Sequence, residues 1–133
     1  MRFRMLLGAL LVVGLFTSAS ATAKPGNVAG NRQWTLVNFP NPVLVQDNIV
    51  MGPVLIVHDS EKMARGEACT TFYRFDPSRG PREEIVSFHC VPTKASVKET
   101  TTLTLSPVSA AGCKRLIAYQ IGGDSEIHGI PAK

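Results

Sequence analysis

The stretch from Glu67 to Val91 constrains this chain more than any other: EACTTFYRF, then DPSRGPRE, then EIVSFHCV. Two runs rich in aromatic and β-branched residues flank a cluster of Asp, Pro, Ser and Gly, the pattern of a β-hairpin with a long loop. A symmetric fold-back about Ser78–Gly80 predicts Cys69 across from Cys90, Thr71 from Phe88, Tyr73 from Val86 and Phe75 from Glu84. Opposed positions on antiparallel strands bring Cβ atoms close enough for a disulfide in favourable pairs. A Cys69–Cys90 bridge closes a loop of about 20 residues, worth roughly 3 kcal/mol in the chain-entropy account. Three cysteines allow three single bridges, and this register favours Cys69–Cys90. Cys113 is then left as a buried small hydrophobe or, alternatively, a thiol for an intermolecular bridge or a reaction.

A disulfide requires an oxidising compartment, and the first residues point to one. Met1 to Ala23 reads as a cleaved signal peptide: Arg2 and Arg4 precede an apolar run from Leu6 to Phe16, and Ala21-Thr22-Ala23 supplies the small residues before Lys24. The apolar run is too short for the roughly 20 residues of a transmembrane helix. Export to a periplasm or beyond is expected, with no transmembrane span in the mature form. Cleavage removes 23 of 133 residues and lowers the formal net charge from +4 to +2, because Arg2 and Arg4 leave with the signal. The remaining charges of both signs are interspersed, which argues against a nucleic-acid surface.

Along the mature chain, residues 24–32 form a polar leader expected to be disordered, and 33–133 a single all-β domain. Gln33–Val37 alternates as a first strand, and Asn38-Phe39-Pro40-Asn41-Pro42 is expected to break it. Val43–Gln46 and Ile49–Met51 follow as short partners. Val54–His58 is a nearly continuous apolar run, typical of a buried strand. Asp59–Gly66 holds one helical turn capped by Asp59 or Ser60. After the hairpin, Ser96–Ser106 alternates, Cys113–Ile121 forms a last strand, and Glu126–Ile130 adds an edge. Six to seven strands with short links predict an antiparallel meander, closed as a small barrel or folded as a sandwich.

If Val54–His58 runs up, the strand directions gather His58, Asp59, Met63, Cys69, His89 and Cys90 on one rim. With the cysteines oxidised, His58, Met63 and His89 remain as an imidazole and thioether set suited to copper. The tight cysteine and histidine spacings of zinc and haem sites are absent. His89 and Cys90, being adjacent, point to opposite faces unless a bulge intervenes. His58-Asp59-Ser60 and the Ser87/His89 pair contain triad letters without triad geometry. Asp124, Glu126 and His128 share a face if extended, a weak metal edge on a tail that is hydrated by default. Arg74, Arg79 and Arg82 alternate with Asp76, Glu83 and Glu84 as screened surface pairs.

The segments PNPVLV, MGPVLIVHDSEKMARGEACTTFYRF and EEIVSFHCVP, spanning Phe39 to Pro92, resemble a loose group of small exported bacterial β proteins of unknown function. The resemblance implies a β domain focused on the His58–Cys69–Cys90 rim and carries no activity with it. Taken together, the sequence favours a non-enzymatic, disulfide-stapled domain of the cell envelope that binds an envelope protein or ligand and needs no cofactor. A periplasmic copper-binding protein is the alternative, and a small hydrolase the third reading.

Overall fold

The computed structural model of the protein describes residues 28–29, 31–108 and 112–133. The signal segment 1–23 and most of the leader lie outside these residues. Strand pairing begins inside the stretch read as leader, where β1 (Val28–Ala29) pairs with the start of β2 (Arg32–Val45). A turn at Gln46–Asp47 leads into β3 (Asn48–Asp59). The short helix α1 (Ser60–Ala64) precedes β4 (Thr70–Asp76) and β5 (Gly80–Phe88). The chain continues through β6 (Val91–Lys94), β7 (Thr102–Pro107), β8 (Lys114–Gln120) and β9 (Glu126–Gly129).

The first half is the expected meander: β2, β3, β4 and β5 pair antiparallel in chain order. Asn38–Pro42 does not break the strand. β2 runs through it, and its register with β3 shifts between Phe39 and Val43. The shift falls where Pro40 and Pro42 offer no N–H to a ladder, so an irregularity accommodates both prolines without ending the strand. Gly52, opposite Phe39, has φ +83°. The helical turn forms as its residues dictate: the Asp59 carboxylate accepts from the Glu61 and Lys62 N–H groups, and Gly66 at φ +71° follows the turn.

The second half departs from a meander. The sheet order is β5-β4-β3-β2-β8-β9-β6, with β1 on β2 and β7 on β8. β8 pairs with β2 in parallel through Val43 with Lys114 and Leu44 with Arg115. β9 is not an edge, because it pairs with both β8 and β6. The alternating run Ser96–Ser106 yields only the shorter β7, and Val97 is exposed. Among the described residues no ladder joins β5 to β6, so the sheet is one curled layer and not a closed barrel. Its curl carries β3 and β9, three steps apart in strand order, face to face across the interior.

That interior is lined by the inward faces of both halves: Val54 and Ile56 of β3, Phe72 of β4, Phe88 of β5, and Leu116 and Tyr119 of β8. Phe72 meets Phe88 with ring centroids 6.0 Å apart and Tyr119 edge-on at 6.2 Å. No helix among the described residues is long and apolar enough to cross a membrane.

A candidate metal centre

The central hairpin forms with its register shifted from the symmetric fold-back by one residue at Thr71, two at Tyr73 and three at Phe75. Thr71 opposes Ser87, Tyr73 opposes Glu84 and Phe75 opposes Pro81, with shifts on either side of Tyr73. Irregular pairing absorbs the Pro81 ring and the long tip, which a symmetric register leaves out. The two cysteines flank the paired region and still converge. Their sulfurs lie 2.8 Å apart and no bond joins them. The Cys69 N–H donates to Phe88 O at 3.1 Å, and the Cys90 N–H donates to Cys69 Sγ at 3.1 Å. Both thiols are buried. Burial first, and then the hydrogen bond with Cys69, push the Cys90 thiol up to about 12.

His58, the last but one residue of β3, lies on its inward face two residues beyond Ile56, continuing the buried alternation of Val54 and Ile56. One of its ring nitrogens and the sulfurs of Cys69 and Cys90 lie within 4.8 Å of one another. Although 1 % exposed, His58 has no hydrogen-bond partner for either ring nitrogen among the described residues. Burial is the largest cause lowering its pKa to about 4, helped by His128 and opposed by Asp124 and Asp59. The neutral imidazole, the form that ligates metals, therefore prevails at neutral pH.

A second histidine, from β9, stands beside the cluster. The His128 ring centroid lies 4.1 Å from that of His58 and 5.1 Å from that of Tyr119, on which it stacks. Its Nε2–H donates to Asp124 Oδ2 at 2.7 Å, so Nδ1, 3.5 Å from Cys90 Sγ, is the nitrogen left bare. Asp124 is held in turn: its Oδ1 accepts from the Glu126 N–H, and its carbonyl accepts from Gln120 Nε2. Burial pushes the Asp124 carboxyl up, but the hydrogen bond and charge of His128 outweigh it and leave the group below the ordinary carboxylate range. Behind the cluster, the Thr70 hydroxyl and Tyr119 OH share a hydrogen bond at 2.5 Å, satisfying the phenol in the core.

Of the residues singled out from sequence, His58, Cys69 and Cys90 converge, and Met63 of α1 brings its Sδ to 3.8 Å from Cys90 Sγ. His89 does not join them. It is exposed between buried Phe88 and Cys90, because strand alternation turns it to the opposite face. His128 stands where His89 was expected. Its sequence signal was the Asp124/Glu126/His128 run, which could not reveal that β9 faces β3. Cys113 is half-buried at a distance from the cluster, its thiol donating to Pro42 O at 3.4 Å.

Cys90, His128 and Asp124 also stand in the order nucleophile, base and orienting carboxylate. That arrangement activates a thiol only when the thiol ionises, and here burial opposes ionisation. The same three side chains suit metal ligation better: a histidine whose far nitrogen is tied to a carboxylate has the hydrogen bonding found on metal-bound imidazoles. No protein-family model, curated protein or solved structure matches this chain.

Proposed function

We propose that this chain is a metal-binding domain whose centre is His58, Cys69 and Cys90, with His128 as a fourth donor held in place by Asp124. The observation that carries the reading is His58 itself, buried beside two thiols with both ring nitrogens unpartnered among the described residues. An unsatisfied buried polar group costs roughly 1–3 kcal/mol, and a missing ion is among its ordinary explanations. Two thiolates and two imidazoles select zinc or copper(I) over calcium or magnesium, whose ligands are oxygens. The sequence favoured no cofactor and offered copper only as the alternative, on His58, Met63 and His89; of that set Met63 keeps its thioether 3.8 Å from Cys90 Sγ. A donor set supplied wholly by protein leaves no open position for substrate, which favours storage, transfer or structural use over catalysis.

Anaerobic titration of the reduced protein with zinc against a chromophoric chelator tests this reading, with cobalt(II) as a spectroscopic substitute. One saturable site per chain with thiolate-to-cobalt charge transfer is expected, and it should vanish in Cys90→Ser. Absence of saturable binding by zinc, cobalt(II) and copper(I) alike overturns it.

A second reading has its own observation, the 2.8 Å separation of Cys69 and Cys90 sulfurs. In an exported chain the pair would oxidise to a staple, and the domain would serve as an envelope binding module. Non-reducing peptide mapping of protein recovered from the cell would then find Cys69 and Cys90 joined in nearly every chain.

A further inference from the structure

The two readings of Cys69 and Cys90 describe one pair of atoms, and the same sulfurs cannot serve both at once. Resting on the metal reading, we propose that the pair is a redox gate: reduced, it holds the ion, and oxidised to a disulfide, it releases the ion. The geometry stands between the two states. Two thiolates sharing a tetrahedral zinc at about 2.3 Å lie about 3.8 Å apart, whereas a disulfide draws sulfurs to about 2.05 Å. At 2.8 Å, each state is within about 1 Å of the present separation. The backbone beside the sulfurs is pinned by Cys69 N–H to Phe88 O and by Cys90 N–H to Cys69 Sγ. The sulfur displacement that either state needs is about 1 Å.

Oxidation removes two donors of the set and leaves His58 and His128, too few to retain the ion. The oxidant is a small-molecule or protein disulfide. One of its sulfurs is attacked by a Cys thiolate to give a mixed disulfide, and the second Cys thiolate then displaces the remaining thiolate. Two metal–sulfur bonds and the oxidant's S–S bond break, and the Cys69–Cys90 bond forms. Two electrons pass from the two thiolates to the oxidant, which leaves as two thiolates, and the metal departs with its oxidation state unchanged. Cys69 is a lining residue of a cleft bounded by Arg32, Lys62, Thr71 and Tyr73, while Cys90 Sγ faces His128 Nδ1.

The test uses the full chain carrying Cys113→Ser, so that Cys69 and Cys90 are its only thiols, loaded with zinc because zinc has no redox chemistry of its own. Glutathione disulfide is added with a chromophoric chelator present. Release of one zinc should accompany loss of two thiols per chain and a mass lower by two hydrogens, and dithiothreitol should restore uptake. The oxidised protein should bind zinc at least about 100-fold more weakly, since losing mere supporting contacts already costs 10–100-fold. A Cys69–Cys90 disulfide forming while zinc stays bound overturns the gate alone. So does zinc-bound protein whose thiols never couple to each other. Failure of the reduced protein to take up zinc overturns the metal reading and the gate with it.

Discussion

Asp124 aims His128. Its carboxylate takes the Nε2–H at 2.7 Å and so turns the bare Nδ1 toward Cys90 Sγ, 3.5 Å away. The two residues are four apart in the chain, in a turn and a strand whose inner pairing holds the imidazole against Tyr119 and His58. Asp124→Ala should lower zinc affinity about 10- to 100-fold while the fold survives. Asp124→Asn, which keeps an acceptor oxygen, should lose less. Chelator competition measures both, and equal affinities in all three proteins would remove Asp124 from the site.

His58 is held at a cost to the metal-free protein. Its nitrogens are desolvated without compensation, so a side chain of similar size with no polar atom fits the same space better. His58→Leu should leave the metal-free domain as stable as the parent or up to about 2 kcal/mol more stable, and should abolish zinc uptake. Urea unfolding measures the first effect. A loss above about 2 kcal/mol, the ordinary penalty for spoiling a buried site, would show that the imidazole makes contacts that stabilise the fold.

The same imbalance sets a pH dependence for the metal-free protein. His58 titrates near 6.5 when unfolded and near 4 when folded, lowered chiefly by burial. Between those values the unfolded chain binds a proton that the folded chain refuses, so stability falls as pH drops from about 6.5 to about 4. Below the folded value this contribution is fully lost and the slope ends. Melting temperatures across this window should show the decline in the parent and a shallower one in His58→Leu. Matching profiles would mean that His58 does not titrate this way.

His89 and His128 make a matched pair of controls, one exposed and one buried. His89→Ala should change neither zinc affinity nor stability by more than about 0.5 kcal/mol, as for other surface positions. His128→Ala should weaken zinc binding at least tenfold and leave Asp124 without its partner. Isothermal titration and urea unfolding of the two variants decide which histidine belongs to the centre.

Local chemistry made much of the first half legible in advance. Residues Thr70–Asp76 and Gly80–Phe88 alternate around a Pro/Gly tip, Val54 and Ile56 carry His58 inward, and Asp59 with Gly66 marks one helical turn. Each signal acts over a few residues, and the covalent chain enforces it wherever the rest of the molecule lies. The meeting of Cys69 with Cys90 was readable for the same reason, since both belong to one hairpin. The prolines at 40 and 42 mark the limit of such signals. They argue for a break, whereas pairing with β3 on both sides carried the strand across them.

The sequence alone therefore determined a β-rich chain with two cysteines and one histidine drawn to a common end. Only the tertiary structure decided that β8 would run parallel to β2, that β9 would lie inside the sheet, and that His128 and not His89 would face His58. The first and last of these choices join segments about 70 residues apart, and the pairing of β9 with β6 joins residues 32 to 38 apart. Their selection comes from burying the faces of β3, β4, β5 and β8 against one another, a sum over the whole core that no short pattern records.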